Sequence, residues 1–201
     1  LAHSFNDKSV AIRVTGAVER ADSYRDQQLL EREALAPSVA IKLGDDTRLL
    51  IQGEYLSDRR VTDFGIPAYR GRPVDVAPGT YYGAANARDV DYSQANVSAF
   101  GFTLDHRFND EWSVRNAFRA YDYSLDRNNT LVGSVNEVAR TVSLNRSNVQ
   151  RQEDGYFNQT ELTQKATLAG MQHQLLYGIE IGKQNKDQVF RTQRNVATVS
   201  L

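Results

Sequence analysis

The feature that most limits how this chain can fold is a recurring unit. An alternating apolar/polar run ends in a tight turn of Asn, Asp or Gly, and a second alternating run returns from it. In the stretch 10–19, Val10, Ile12, Val14 and Val18 share one face, while Arg13, Thr15 and Glu19 share the other. A period of two held this long is the pattern of a half-buried strand. Val39, Ile41 and Leu43 against Ser38, Ala40 and Lys42 give the return run. Residues 27–36 (QQLLEREALA) have the composition of a short helix and are read as strand because of their flanks. After the hairpin signal Gly44-Asp45-Asp46, Leu49, Ile51 and Tyr55 oppose Arg48, Gln52, Glu54 and Asp58, with Leu50 and Leu56 as exceptions.

Periodicity stops between Thr62 and Ser93, a stretch holding Pro67, Pro73 and Pro78 with Tyr69, Tyr81, Tyr82 and Tyr92. It resumes with Phe100, Phe102, Leu104, His106 and Phe108, turns at Asn109-Asp110-Glu111, and returns through Trp112, Val114 and Phe118. A second polar stretch, 126–154, is read as a long connection whose middle part, 134–144, could form a local hairpin. The last pair sets Leu162, Ala166 and Leu168 against Glu161, Thr163, Lys165 and Thr167. It turns near Ala169-Gly170-Met171 and ends in Leu175, Tyr177, Ile179 and Ile181.

The count is about seven strands. Every tight turn (44–46, 109–111, 169–171) falls on one side, and the long connections (22–28, 62–94, 126–154) fall on the other. Short turns on one rim and long loops on the opposite rim are the layout of a transmembrane β-barrel, with periplasmic turns and extracellular loops. The expected fold is therefore all-β, an antiparallel up-and-down sheet forming part of a barrel wall. No apolar run approaches the ~18 residues of a membrane-spanning helix. A barrel strand passes that test unseen, because only alternate residues meet lipid. Phe108 and Trp112, flanking one turn, stand where an interfacial aromatic girdle is expected.

The 201 residues carry a formal net charge of −1, which argues against nucleic acid as partner. With no cysteine there is neither a disulfide framework nor a thiolate metal site. His3, His106 and His173 are scattered without ligand spacing, so no direct metal site is expected. No nucleophile elbow, phosphate loop or dinucleotide fingerprint is present, and no enzymatic activity is expected. Leu1-Ala2-His3-Ser4-Phe5 has no basic or apolar leader character, which favours a start inside a larger protein.

At the long loop the residues become specific. The stretch 63–76 (DFGIPAYRGRPVDV) followed by Thr80-Tyr81-Tyr82-Gly83 resembles an extracellular loop of TonB-dependent siderophore receptors of the catecholate and ferrichrome type. Tyr55 to Arg60, Ala21 to Asp26, Ala36-Pro37-Ser38 and Tyr156 to Leu162 resemble the same family, so the likeness runs from about residue 8 to 190. It implies a barrel of about 22 strands in the outer membrane of a Gram-negative bacterium, with an N-terminal plug in its lumen. No plug segment is recognisable, and the chain is read as an internal piece of such a receptor. The implied partners are a ferric siderophore, the TonB system acting through the missing plug, and outer-membrane lipid or lipopolysaccharide. Iron would arrive already chelated, with no cofactor bound directly.

Ferric catecholates are anionic and present flat rings, so arginines and aromatics suit their capture. Phe64, Tyr69, Arg70, Arg72, Tyr81 and Tyr82 offer both on one loop and are the candidate ligand-binding residues. The plain alternative is that they pack the loop on itself. Arg13, Glu19, Arg48, Glu54, Arg115, Arg119, Glu161 and Glu180 are expected in the lumen as a solvated, salt-bridged wall. Energy-coupled uptake of ferric siderophores is the leading reading. A passive porin shares the strand pattern, and its constriction could use Arg70, Arg72 and Arg88 with Asp75, Asp89 and Asp91. A soluble all-β binding module is the third reading, disfavoured by the faces that lack charge.

Overall fold

The computed structural model describes residues 2–5, as backbone, and 9–201. Residue 1, residues 6–8 and the side chain of His3 lie outside the described residues. The strands are β1 (Ala2–Phe5), β2 (Val10–Asp22), β3 (Leu29–Lys42), β4 (Thr47–Arg60), β5 (Ala68–Tyr69), β6 (Arg72–Pro73), β7 (Tyr92–Arg107), β8 (Trp112–Asn136), β9 (Thr141–Leu168) and β10 (Met171–Ser200), with one helical turn, α1 (Ala87–Val90). Eight of them form one sheet in the order β1-β2-β3-β4-β7-β8-β9-β10, and β5 and β6 pair by themselves. Every pairing is antiparallel, and each strand of the large sheet lies beside its neighbour in that up-and-down path. The all-β reading is met, with the short β1 added to the seven long strands.

The tight turns form for local reasons. Asn109 accepts the backbone N–H groups of Glu111 (2.9 Å) and Trp112 (2.8 Å) on its side-chain oxygen, tying the 108–111 reversal. Ala169 (φ 52°) and Gly170 (φ 77°) are both left-handed, the pair of conformations that matches a two-residue hairpin to the strand twist.

Residues paired across an antiparallel ladder share a face. Ile12, Val39, Ile51, Phe102, Phe118, Asn158 and Ile181 form one such row. Ile41, Leu49, Leu104, Asn116, Thr160 and Ile179 form the next. The polar members answer one another: Asn116 donates to Asn158 (3.0 Å) and Thr160 (2.7 Å), and Asn158 donates back at 3.2 Å. This face leaves Phe100 51%, Ile179 61% and Ile181 63% exposed, an apolar band that water would not tolerate. The opposite face is mostly charged, polar or small, with Phe157 as an exception, as in the row Arg13, Ser38, Gln52, Gly101, Arg119, Phe157, Gly182. No helix among the described residues is long and apolar enough to cross a membrane, which says nothing of strands.

Three features differ from expectation. The 126–154 stretch is ladder, not loop: Asp126 pairs with Gln150 and Val135 with Val142, leaving only 137–140 as a turn. Its alternation is masked because polar residues interrupt both faces there, while β8 and β9 satisfy each other's backbone, with β7 alongside as far as Asn128 and β10 beside β9. The irregular stretch after β4 is 61–91, since β7 already begins at Tyr92. The last strand continues to Ser200, and its 30 residues span roughly 100 Å at ~3.3 Å each, far beyond a ~25 Å apolar band. Full burial concentrates in the 61–91 segment and the far part of β8 and β9, at Val61, Tyr82, Ala87, Asp91, Asn129, Val142, Leu144 and Val149.

Candidate functional site at the loop rim

Opposite the tight turns, the connections 23–28, 61–91 and 137–140 are tied together. On one flank Arg25 bonds the Asp63 carboxylate at 2.8 Å and donates to the Thr80 carbonyl at 2.8 Å. The Asp26 N–H donates to the Gly79 carbonyl at 2.9 Å. Arg88 returns the contact, donating to Asp22 (2.7 Å) and to the Gln28 carbonyl (2.8 Å). On the other flank Asp91, wholly buried, accepts from both the backbone N–H and the hydroxyl of Thr130, each at 3.1 Å. Asn128 (2.7 Å) and Arg146 (3.1 Å) both donate to the Val90 carbonyl, so the loop's exit is fixed to β8 and β9. Both oxygens of this buried carboxylate therefore have hydrogen-bond donors, which a polar loop root in a packed interior requires.

The β5–β6 hairpin stands out from this base. Tyr69 pairs across it with Arg72, and Arg70 (φ 50°) with Gly71 (φ 74°) makes the corner. The Arg70 guanidinium lies 5.2 Å from the centre of the Tyr69 ring. Tyr69 donates to the Glu137 carbonyl at 3.3 Å, and the Arg70 N–H donates to the Glu137 carboxylate at 3.1 Å. Hence the hairpin leans on the β8–β9 turn through exposed contacts only.

The six candidate residues divide by environment. Phe64, Arg70 and Arg72 are exposed, and Tyr69 is half-buried under Arg70. Tyr81 folds its ring back over Gly83, where an added Cβ would sit 2.4 Å from ring atoms. Its hydroxyl is buried without a hydrogen-bond partner among the described residues. Burial, with the charges of Asp91 and Asp63 adding to it, pushes this phenol up to about 12. Tyr82 is only 7% exposed and packs the loop interior. The structure thus gathers Tyr69, Arg70 and Arg72 on one hairpin and places Tyr81 and Tyr82 in the scaffold beneath. Arg25, Asp91, Thr130, Glu137 and Arg146 build that scaffold; of these the sequence offered only Asp91, and in a different role, as part of a channel constriction. Their partners are far away in the chain, so no local pattern marks them.

Along the polar face of the sheet, Arg119 pairs with Glu54 at 2.8 Å, Arg115 with Asp105 at 3.5 Å, and Arg32 with Glu19 at 3.3 Å and Asp58 at 2.8 Å. No cluster of three metal-ligating side chains occurs among the described residues.

An apolar outer band, a charged inner face, short turns on one rim and a built loop platform on the other define a stretch of wall from an outer-membrane-type β-barrel. Residues 35–199 match the TonB dependent receptor-like, beta-barrel family, and the chain belongs to that family. Its barrels sit in the outer membrane of Gram-negative bacteria and act as transport receptors. The chain is 28% identical over 179 residues to the metal-pseudopaline receptor CntO of Pseudomonas aeruginosa, covering 88% of this chain and 25% of that one. It is 26% identical over 199 residues to the catecholate siderophore receptor Fiu of Escherichia coli K12, covering 89% of this chain and 26% of that one. The crystal structure of the siderophore receptor PiuA from Acinetobacter baumannii superposes with a TM-score of 0.84 at 22% identity, over 93% of this chain and 28% of that one, and shares the fold. The chain spans about a quarter of the length of the curated relatives it matches.

Proposed function

We propose that this chain supplies wall and mouth to an outer-membrane receptor for energy-coupled uptake of ferric siderophores. The observation that carries the reading is the rim platform: Phe64, Arg70 and Arg72 are presented outward from a base locked by Arg25 and Asp91. Cations and an aromatic ring on a rigid root suit capture of a bulky anionic iron complex. The named cargoes of the relatives, a catecholate siderophore in Fiu and ferrioxamine B in a Salmonella typhimurium receptor 27% identical over 179 residues, support the substrate class. In this reading the loop rim (23–28, 61–91, 137–140) faces outward and the tight turns face the periplasm. Iron is cargo within its chelate, force reaches a lumenal plug through the TonB system, and lipid and lipopolysaccharide cover the apolar face.

The test uses the full-length receptor. Replacing Arg70 and Arg72 together by Ala should weaken binding of the ferric siderophore at least about tenfold, since charge-assisted contacts are worth ~1.5–3 kcal/mol each. Uptake by wild type should vanish in cells lacking TonB. Unchanged affinity in the double variant would remove the loop from the binding site, and TonB-independent flux would favour a passive channel.

A further inference from the structure

On the charged inner face, three neighbouring side chains of the wall are each paired directly with a glycine on an adjacent strand. Arg119 pairs with Gly101, Tyr121 with Gly155, and Phe157 with Gly182. The last two glycines are filled from outside. A Cβ on Gly182 would lie 2.4 Å from Cδ1 and 2.8 Å from Cε1 of Phe157. A Cβ on Gly155 would lie 2.9 Å from Cε1 of Tyr121. Each ring therefore leans sideways across the ladder and rests over the bare backbone of the neighbouring strand. The two rings are parallel, 1° apart in plane with centroids 6.4 Å apart, as two side chains laid against one surface must be. Phe157 is still 38% exposed on its inner side, and the space before it is a wall cavity of about 410 Å³ that Arg119, Glu54, Gln159 and Glu180 also line.

Large aromatic side chains normally stand roughly perpendicular to a sheet. Standing upright, Tyr121 and Phe157 would project into whatever space the wall encloses. We infer that Gly155 and Gly182 are positioning residues for cargo passage, because their missing side chains let Tyr121 and Phe157 lie down and keep the inner wall clear. The inference rests on the uptake reading above and adds to it a determinant of how large a complex can pass. Gly182 is the sharper case. The nearest neighbours of its Cβ would be the ring and, at 3.2 Å, the Tyr156 carbonyl, so an alanine there is accommodated by swinging Phe157 off the wall. Tyr121 and Arg119 occupy the wall on the β8 side, and Glu180 and Gln184 flank Gly182 on β10, which leaves the enclosed space as the open direction. At Gly155 the Lys183 carbonyl is also 2.9 Å away, so a substitution there strains the ladder itself.

The experiment measures uptake of radio-iron complexes of ferrioxamine B and of a ferric tris-catecholate by the full-length receptor, normalised to receptor folded at the surface. Gly182→Ala should lower the maximal rate several-fold while the half-saturating concentration stays at the wild-type value. Phe157→Ala should keep the wild-type rate, and Gly182→Ala combined with Phe157→Ala should recover it. Gly182→Ala as fast as wild type overturns the inference. So does a double variant as slow as the single, which would make the loss structural, or a slow Phe157→Ala, which would mean that the ring holds cargo. Increased passive entry of large antibiotics in Gly182→Ala also overturns it, since the flat rings would then seat a lumenal domain. If the unaltered receptor takes up neither complex, the uptake reading fails and takes the inference with it, a result separable from all the others.

Discussion

At the scale of the residue, side-chain fit decides what the rim can do. Tyr81 is held over Gly83 with a buried hydroxyl that finds no partner, so the fold favours its neutral form. The folded phenol keeps its proton up to about 12, whereas an unfolded one releases it near 10. Its contribution to loop stability is therefore complete below pH 10 and is lost as pH rises from 10 to about 12. In a spectrophotometric tyrosine titration, Tyr81→Phe should remove one phenol from the late-ionising phase. The same variant should hold the loop as firmly at neutral pH, or by ~1 kcal/mol more firmly, because an unsatisfied buried hydroxyl is removed. Asp91 is the reverse case. Replacing it by Ala orphans the Thr130 donors and should loosen the exit of the 61–91 segment by roughly 2–3 kcal/mol, read as faster limited proteolysis within 61–91.

At the scale of the element, strand identity depends on which partners lie alongside. Segments 10–19, 100–107 and 175–181 alternate visibly because one face is apolar, and the structure makes each of them strand. Segment 126–154 carries Asn, Ser, Arg and Gln on both faces and still pairs on either side of the 137–140 turn, because β8 and β9 supply each other's hydrogen bonds and β10 runs beside β9. Polar composition does not by itself mark a loop: Asn129, Thr130 and Ser147 are buried here. The Asn116–Asn158–Thr160 cluster on the apolar face makes a related point: three polar groups are tolerated there because each has a partner in the next strand. Asn158→Ala should destabilise the barrel in lipid by about 1–3 kcal/mol, because the Asn116 side-chain oxygen loses its donor while its amide keeps Thr160. Replacing Asn116 and Asn158 together by Leu should cost little, as a reversible denaturation series in lipid vesicles would show. In the 168–171 hairpin, Ala169→Asn should be neutral or stabilising, since Asn accepts the left-handed conformation more readily than Ala, and Gly170→Val should cost at least ~1 kcal/mol.

At the scale of the whole molecule, the sheet has two edges, β1 and β10, and β10 presents a 30-residue row of backbone groups that pairs with nothing beyond β9 among the described residues. Such an edge is satisfied in a bilayer only by closure into a barrel. Residues 1–201 expressed alone should accordingly associate or stay unfolded in detergent, whereas the full-length receptor should show the heat-sensitive electrophoretic shift of a closed barrel. A compact, monomeric and water-soluble 1–201 would reverse that expectation. The sequence by itself determined the all-β class, the positions of the tight turns, the division into an apolar and a charged face, and the loop that carries the family likeness. These are local properties: a period of two, the turn chemistry of Asn, Asp and Gly, and a contiguous motif. Only the tertiary structure decided that 126–154 is ladder, that Tyr82 is scaffold while Arg70 and Arg72 are presented, and that Asp91 anchors the mouth to Thr130. It alone laid Phe157 over Gly182. Each of these depends on cross-strand register, which sets side by side residues that are distant in the chain and leaves no trace in the pattern of either segment alone.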